Sequence, residues 1–174
     1  MPKLFKPSPR FGYLGFLLIT LIWLVVDVLT KQYFHNNFMV GQRQQLLPFL
    51  SFALHYNPGA AFSFLADAGG WQKYFFMTVA TVVTVVFTVW LYRLRQAQEV
   101  WLALGLSMII AGAVGNNLHD RPRWGMVVDF ISVHWQNWYF PTFNVADIAI
   151  SIGAFLVIID GVLLEPKRRV SDKA

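Results

Sequence analysis

The chain has no cysteine in its 174 residues. Disulfide staples, thiol nucleophiles and zinc–thiolate sites are therefore excluded, and nothing follows about compartment. Charge is also scarce. Only 13% of residues are charged and 56% are hydrophobic, with a mean hydropathy of +0.49, whereas an ordinary soluble domain is about 25% charged. An apolar surplus of this size needs lipid to cover it. No Gly-x-Ser-x-Gly elbow is present, which removes the commonest serine-hydrolase arrangement. His35, His55, His119 and His134 show no His-x-x-x-His spacing, so neither a metal nor any other cofactor is expected. The net charge of +5 comes from basic residues at the termini and in one short loop. No basic stripe is interleaved with polar readers, and nucleic acid is not expected as a partner.

Long apolar stretches are present, and they dominate. Four can cross a bilayer, at about residues 12–29, 74–92, 100–117 and 145–164. Lys3, Lys6 and Arg10 precede the first, as in a signal peptide, but Asp27 to Lys31 follow it where small cleavage-site residues would be needed. It reads as a retained helix. Residues 44–66 carry no charge, yet Pro48 and Asn57-Pro58-Gly59 interrupt them, and a broken backbone in hydrocarbon is expensive. With four spans and the N-terminus inside, the short inner segments hold nine basic residues and the longer outer ones five; a fifth span would give six inside and eight outside. The positive-inside rule selects four spans with both termini cytoplasmic and outer segments 30–73 and 118–144. The expectation is one all-α membrane domain with a small β-containing outer segment. A strand is expected near Phe49–Tyr56 and a short interfacial helix over Gly59–Ala66. Ala103, Ser107, Ala111 and Gly115 form a small-residue face for close helix packing. The threonines of the second span, Thr78, Thr81, Thr84 and Thr88, are expected to bond back to their own backbone.

Ionisable residues at the edge of a span are costly, so each needs a reason. Asp27 has Lys31 one turn on, which suggests a local ion pair. Asp120 precedes Arg121 in the outer loop, and Asp67 sits in an exposed turn. Asp129 and Asp147 differ from these: both lie in apolar surroundings with no Lys or Arg within four residues. Asp147 falls in the first turn of the fourth helix, and the segment carrying Asp129 emerges on the same side, so the two can meet at one depth. Asp160 lies 13 residues further along that helix, about 20 Å away at 1.5 Å per residue. Two carboxylates in a low-dielectric site share a proton. One then acts as base on a water while the other polarises a carbonyl, which is the logic of an aspartic protease. The competing structural reading is two separate acids, each capping a helix or bonded to backbone. A proton-coupled transporter or a non-catalytic scaffold are the rival functions, although a transporter favours midplane acids and internal repeats.

Five motifs in order are more specific than any of these features alone. They are Asp27-x-x-Thr30-Lys31, Asn57-Pro58-Gly59-Ala60-Ala61-Phe62-Ser63, Asn117-Leu118-His119-Asp120-Arg121, Val127-Val128-Asp129-Phe130 and Phe143-Asn144-Val145-Ala146-Asp147. On a four-span chain they resemble the lipoprotein signal peptidases, the type II signal peptidases of bacteria, over nearly the whole length. The resemblance implies a membrane aspartic endopeptidase that removes the signal peptide of diacylglyceryl-modified prolipoproteins, cutting before the lipidated cysteine. It implies an inner-membrane protein, expected to be a monomer, with membrane lipid around it and its site near the periplasmic face. Asp129 and Asp147 would be the catalytic pair. Asn57, Gly59, Asn117, Arg121 and Asn144 would line the site, and Asp27, Lys31 and Asp120 would support it. One departure stands out. The family usually reads Gly-Asn-x-x-Asp-Arg, and this chain has an extra residue between Gly115 and Asp120-Arg121. Counting back from Arg121 selects Asn117, the preferred site asparagine; counting forward from Gly115 selects Asn116.

Overall fold

The computed structural model describes residues 9–58, 70–94 and 99–171. Four helical stretches in it are long and apolar enough to cross a membrane: Gly12–Asn37, Trp71–Arg93, Val100–Trp124 and Val145–Arg168. The first belongs to α1 (Pro9–Asn37), the second is α2 (Trp71–Arg93). The third joins α3 (Val100–Ala113), a π-helical segment (Val114–Asp120) and α4 (Arg121–Trp124). Asp120 and Arg121 therefore sit on a helix, not in a loop. The fourth joins α5 (Val145–Ile159), a second π segment (Asp160–Leu164) and α6 (Glu165–Ser171).

The central strut is α3. In its span 67% of the apolar window is buried, against 6% in α1, because its side chains are small enough for neighbours to close in on several faces. The face of Ala103, Ser107 and Ala111 is buried as expected, and it meets α1: the Thr20 hydroxyl donates to the Ser107 carbonyl at 3.1 Å. The approach to α5 uses other small residues. A Cβ on Gly105 would lie 2.7 Å from the Gly153 carbonyl oxygen, and one on Gly112 would lie 2.5 Å from that of Ala146. Thr78 and Thr81 do bond back, to the carbonyls of Tyr74 and Met77, but the buried Thr84 hydroxyl has no hydrogen-bond partner among the described residues. The outward faces stay apolar and uncovered, with Leu14, Leu18, Leu21, Ile22, Val25 and Leu29 of α1 all exposed. Such a belt is stable only against hydrocarbon.

At the end where α1 finishes, a four-stranded antiparallel sheet sits on the bundle. Its order is β1 (Arg43–Leu47), β2 (Leu50–Asn57), β3 (Val127–Trp135), β4 (Trp138–Tyr139). Pro48 falls in the tight β1–β2 turn, where its missing N–H costs nothing. The expected strand near Phe49–Tyr56 is thus joined by three more, and Asp129 rides on β3. Phe34, from the last turns of α1, packs with Leu54, Val128 and Phe130. The Phe34 and Phe130 rings stack with centroids 4.2 Å apart. This cluster clamps the sheet to the helix and fixes β3 over the bundle. The interfacial helix expected over Gly59–Ala66, the turn at Asp67 and the site residue Gly59 lie outside the described residues.

Candidate active site

Asp129 and Asp147 meet through one side chain. The strand alternation of β3 turns Phe130 into the clamp and Asp129 to the other face. After β4 the chain doubles back on β3, with Phe143 exchanging backbone bonds with Ile131, which delivers Asn144 beside Asp129. Asn144 is also the N-cap of α5. Its Oδ1 accepts from the Asp147 backbone N–H at 3.0 Å, while Asp147 Oδ2 accepts from the Asn144 backbone N–H at 3.1 Å. This is a capping box with an acid at the third position. The Asn144 Nδ2 donates to Asp129 Oδ1 at 2.7 Å. Capping and pairing, which the sequence offered as alternatives, are therefore performed together.

Each acid has a second amide. Asn57 pairs with Val127 across β2 and β3, two residues from Asp129 on the same face, and its Nδ2 donates to Asp129 Oδ2 at 3.1 Å. Asp147 Oδ1 accepts from the Asn116 Nδ2 at 2.7 Å. Asn116, not Asn117, thus reaches the acids. Asn117 stands one step back: its Oδ1 accepts from Arg121 Nε at 2.9 Å. The π segment explains why counting from either end gives a different residue. A π turn takes up one more residue than an α turn, so Gly115-Asn116 upstream and Asp120-Arg121 downstream both reach the site. An α-helical count cannot follow this. The signal that could have found it was the extra residue itself, since an insertion inside a helix is most simply absorbed as a widened turn.

Beneath the acids lies a buried ion cluster. Lys31 has no exposed surface; its Nζ lies 2.7 Å from Asp27 Oδ2 and 2.9 Å from Asp120 Oδ2, and it donates to Asn116 Oδ1 at 2.7 Å. An ammonium here is tolerable only because all three of its donors are taken. Asp27 also accepts from the Ala146 backbone N–H at 2.8 Å, one of the donors left over at the start of α5. Asp120 accepts from the Val128 backbone N–H at 3.2 Å, and His119 Nδ1 lies 2.9 Å from its other oxygen. The expected Asp27–Lys31 pair is present, but it is one side of a cluster that ties α1, the third span, β3 and α5 together. Gly115 is obligatory beside it, because a Cβ there would lie 2.5 Å from Asp27 Oδ2. Arg121 bonds neither acid. Its Nη1 donates to the Pro58 carbonyl at 3.0 Å and its guanidinium lies over the Phe76 ring, holding the end of β2 to α2.

Burial pushes the Asp129 carboxyl up to about 7, helped by the nearby Asp147 charge and opposed by the Asn57 and Asn144 donors. Asp147 is less enclosed, and a cavity of about 310 Å³ opens beside it, lined by Phe140, Phe143, Ile148, Ser151 and Ile152. A buried acid that is protonated near neutrality beside a more accessible one suits general acid–base work on a bound carbonyl and a water. Among the described residues no three His, Asp or Glu side chains converge as a metal site.

A membrane bundle with a polar, paired-carboxylate centre at one end defines a class: a multi-pass membrane enzyme. A family model described as Signal peptidase (SPase) II matches residues 19–163, and the chain belongs to the signal peptidase II family. It is 51% identical over 155 residues to a lipoprotein signal peptidase of Ectopseudomonas mendocina (strain ymp), covering 88% of this chain and 90% of that one. It is 50% identical over 153 residues to one of Pseudomonas aeruginosa (strain UCBPP-PA14), covering 87% and 89%. A solved bacterial membrane enzyme superposes with a TM-score of 0.74 at 29% identity, covering 86% of this chain and 93% of that one.

Proposed function

We propose that this protease removes the signal peptide of prolipoproteins whose lipobox cysteine carries diacylglycerol, with Asp129 and Asp147 as the catalytic pair. The observation that carries the reading is the bridging of both acids by Asn144 at the start of a membrane helix. The ionised member takes a proton from water, whose oxygen attacks the carbonyl carbon before the cysteine. The protonated member bonds the carbonyl oxygen and offsets its growing charge. Collapse of the tetrahedral intermediate breaks the C–N bond and returns a proton to the cysteine nitrogen. Asn57 and Asn144 hold the acids, while Asp27, Lys31 and Asp120 hold the helices that present them. Arg121, with Asn117, fixes the Asn57-Pro58 end of β2; Gly59 follows directly in that motif.

The substrate is tethered in lipid and arrives sideways, and the apolar cavity beside Asp147 suits that approach. The basic-residue count supports cytoplasmic termini and an inner-membrane protein whose sheet and site face the periplasm. One chain contains every residue of this scheme, so a monomer surrounded by membrane lipid suffices. The test is cleavage of a diacylglyceryl-modified prolipoprotein by purified wild type, Asp129→Asn and Asp147→Asn. Cleavage before the lipidated cysteine by wild type, with both folded variants inert, upholds the reading. An inert wild type, or near-normal activity in either variant, rejects it.

A further inference from the structure

A shared proton has to rest on one carboxyl or the other. We infer that the resting enzyme holds it on Asp129 and keeps Asp147 ionised as the general base, with Asn116 the positioning residue through which Lys31 enforces that choice. The inference rests on the proposed aspartic reading and adds the division of labour within the pair.

The argument is about which donors are free to turn. Lys31 offers only N–H groups and accepts nothing. The Asn116 amide must therefore present its oxygen to Lys31, at 2.7 Å, and its nitrogen to Asp147 Oδ1, at 2.7 Å. The buried ammonium, together with the Asn144 Nδ2 that donates to the same oxygen at 3.0 Å, thus fixes the amide orientation. Asp147 Oδ2 meets the Asn144 backbone N–H, which cannot turn over at all. Both oxygens of Asp147 accordingly face fixed donors, as an acceptor-only carboxylate requires. It also stands in the first turn of α5, where the helix dipole favours negative charge. Asp129 is placed differently. It is 2% exposed, sits on a strand without a dipole to help it, and accepts from side chains rather than backbone: Asn57, and Asn144, whose own orientation the cap bond to the Asp147 N–H fixes. A buried carboxyl of that kind is the better place for a proton.

Net charge does not decide the matter. The groups facing the pair are Lys31 and Asp27 from α1, Asp120, His119 and Arg121 from the third span, and His55 opposite Asp129 on β2. Asp27, Lys31 and Asp120 together sum to one negative charge, so as a whole the cluster opposes ionisation of both acids rather than favouring it at Asp147. The effect of Lys31 on Asp147 travels through the orientation of one amide.

The experiment measures kcat/KM against pH for the wild type, Asn116→Leu and Asn57→Leu, in bilayer discs with a lipidated prolipoprotein. Asn116→Leu removes a donor from the ionised acid, so its acid limb should move up by about one pH unit while its alkaline limb stays. Asn57→Leu should leave the acid limb and move the alkaline one. Should Asn116→Leu fail to fold, as judged by its thermal midpoint, Asn116→Ser cannot span Lys31 and Asp147 and makes the same prediction. Exchange of the two limbs between the variants, or no movement of either, overturns the assignment. Absence of cleavage by the wild type overturns the underlying function instead.

Discussion

The two ends of the bundle bury the same kind of residue in opposite ways. At each end a transmembrane helix widens into a π segment that carries an aspartate, Asp120 beneath the sheet and Asp160 at the far end, with 0% and 1% exposure. Among the described residues Asp160 is closed off by Arg168, which lies two turns on and grips both of its oxygens at 2.9 and 2.5 Å. Such a bidentate pair occupies both carboxylate oxygens and neutralises the acid in place. Asp120 belongs to a network in which every donor is shared and which ends at two carboxyls beside an open cavity. Burial alone therefore does not make an acid reactive. What matters is whether its partners terminate on it or pass through it to a surface.

The largest effect that tests this contrast is on turnover. Asp129→Asn or Asp147→Asn should lower kcat/KM by at least about 10³-fold, whereas Asp160→Asn should leave cleavage per folded molecule near wild type in the same prolipoprotein assay. Comparable losses from all three would erase the distinction between the ends. Lys31→Met comes next: two buried carboxylates lose their common cation, a loss of about 3–5 kcal/mol, so the yield of folded protein from detergent should fall sharply in size-exclusion profiles. A matched pair of small substitutions sharpens the comparison further. Gly115→Ala and Gly105→Ala both force contacts, onto Asp27 Oδ2 and onto the Gly153 carbonyl respectively. Each should cost about 1–3 kcal/mol in thermal unfolding, but only Gly115→Ala should also reduce kcat. Arg168→Met, which breaks the partly exposed far-end clasp, should cost about 1–3 kcal/mol without changing the pH profile. That profile should itself fall as pH rises through about 7, because Asp129, raised to that value, must keep its proton to act. A tenfold loss per pH unit beyond it is the expected slope; a flat profile there would exclude a protonated Asp129.

Much of this was legible in the residues. Hydropathy located the four helices, since lipid leaves little choice about what can span it. Asp129 and Asp147 stood out because no basic residue nearby explained them. The misses have a common cause: local patterns do not report long-range partners. Asp120-Arg121-Pro122-Arg123 reads as a charged loop, and nothing in it shows that Lys31, 89 positions earlier, meets Asp120 with both side chains buried. β3 carries no strand signal in the sequence, because Val127–Ile131 is too short and too evenly apolar to show a period of two. Counting back from Arg121 selects Asn117 because it assumes a constant helical pitch, and the pitch changes at the residues in question.

That change of pitch has a consequence for how the molecule tolerates change. In a uniform helix, one added residue rotates everything beyond it by about 100° and would swing Asp120 and Arg121 out of register. A single widened turn confines the rotation to itself. The span thus behaves as two rigid rods joined by an adjustable spacer: the rod packed in the bundle and the rod that meets the sheet keep their bearings while the number of residues between them varies. Chain length at this point is separated from the position of the paired carboxyls, and an insertion one hydrogen bond from Asp147 becomes a change the fold can absorb.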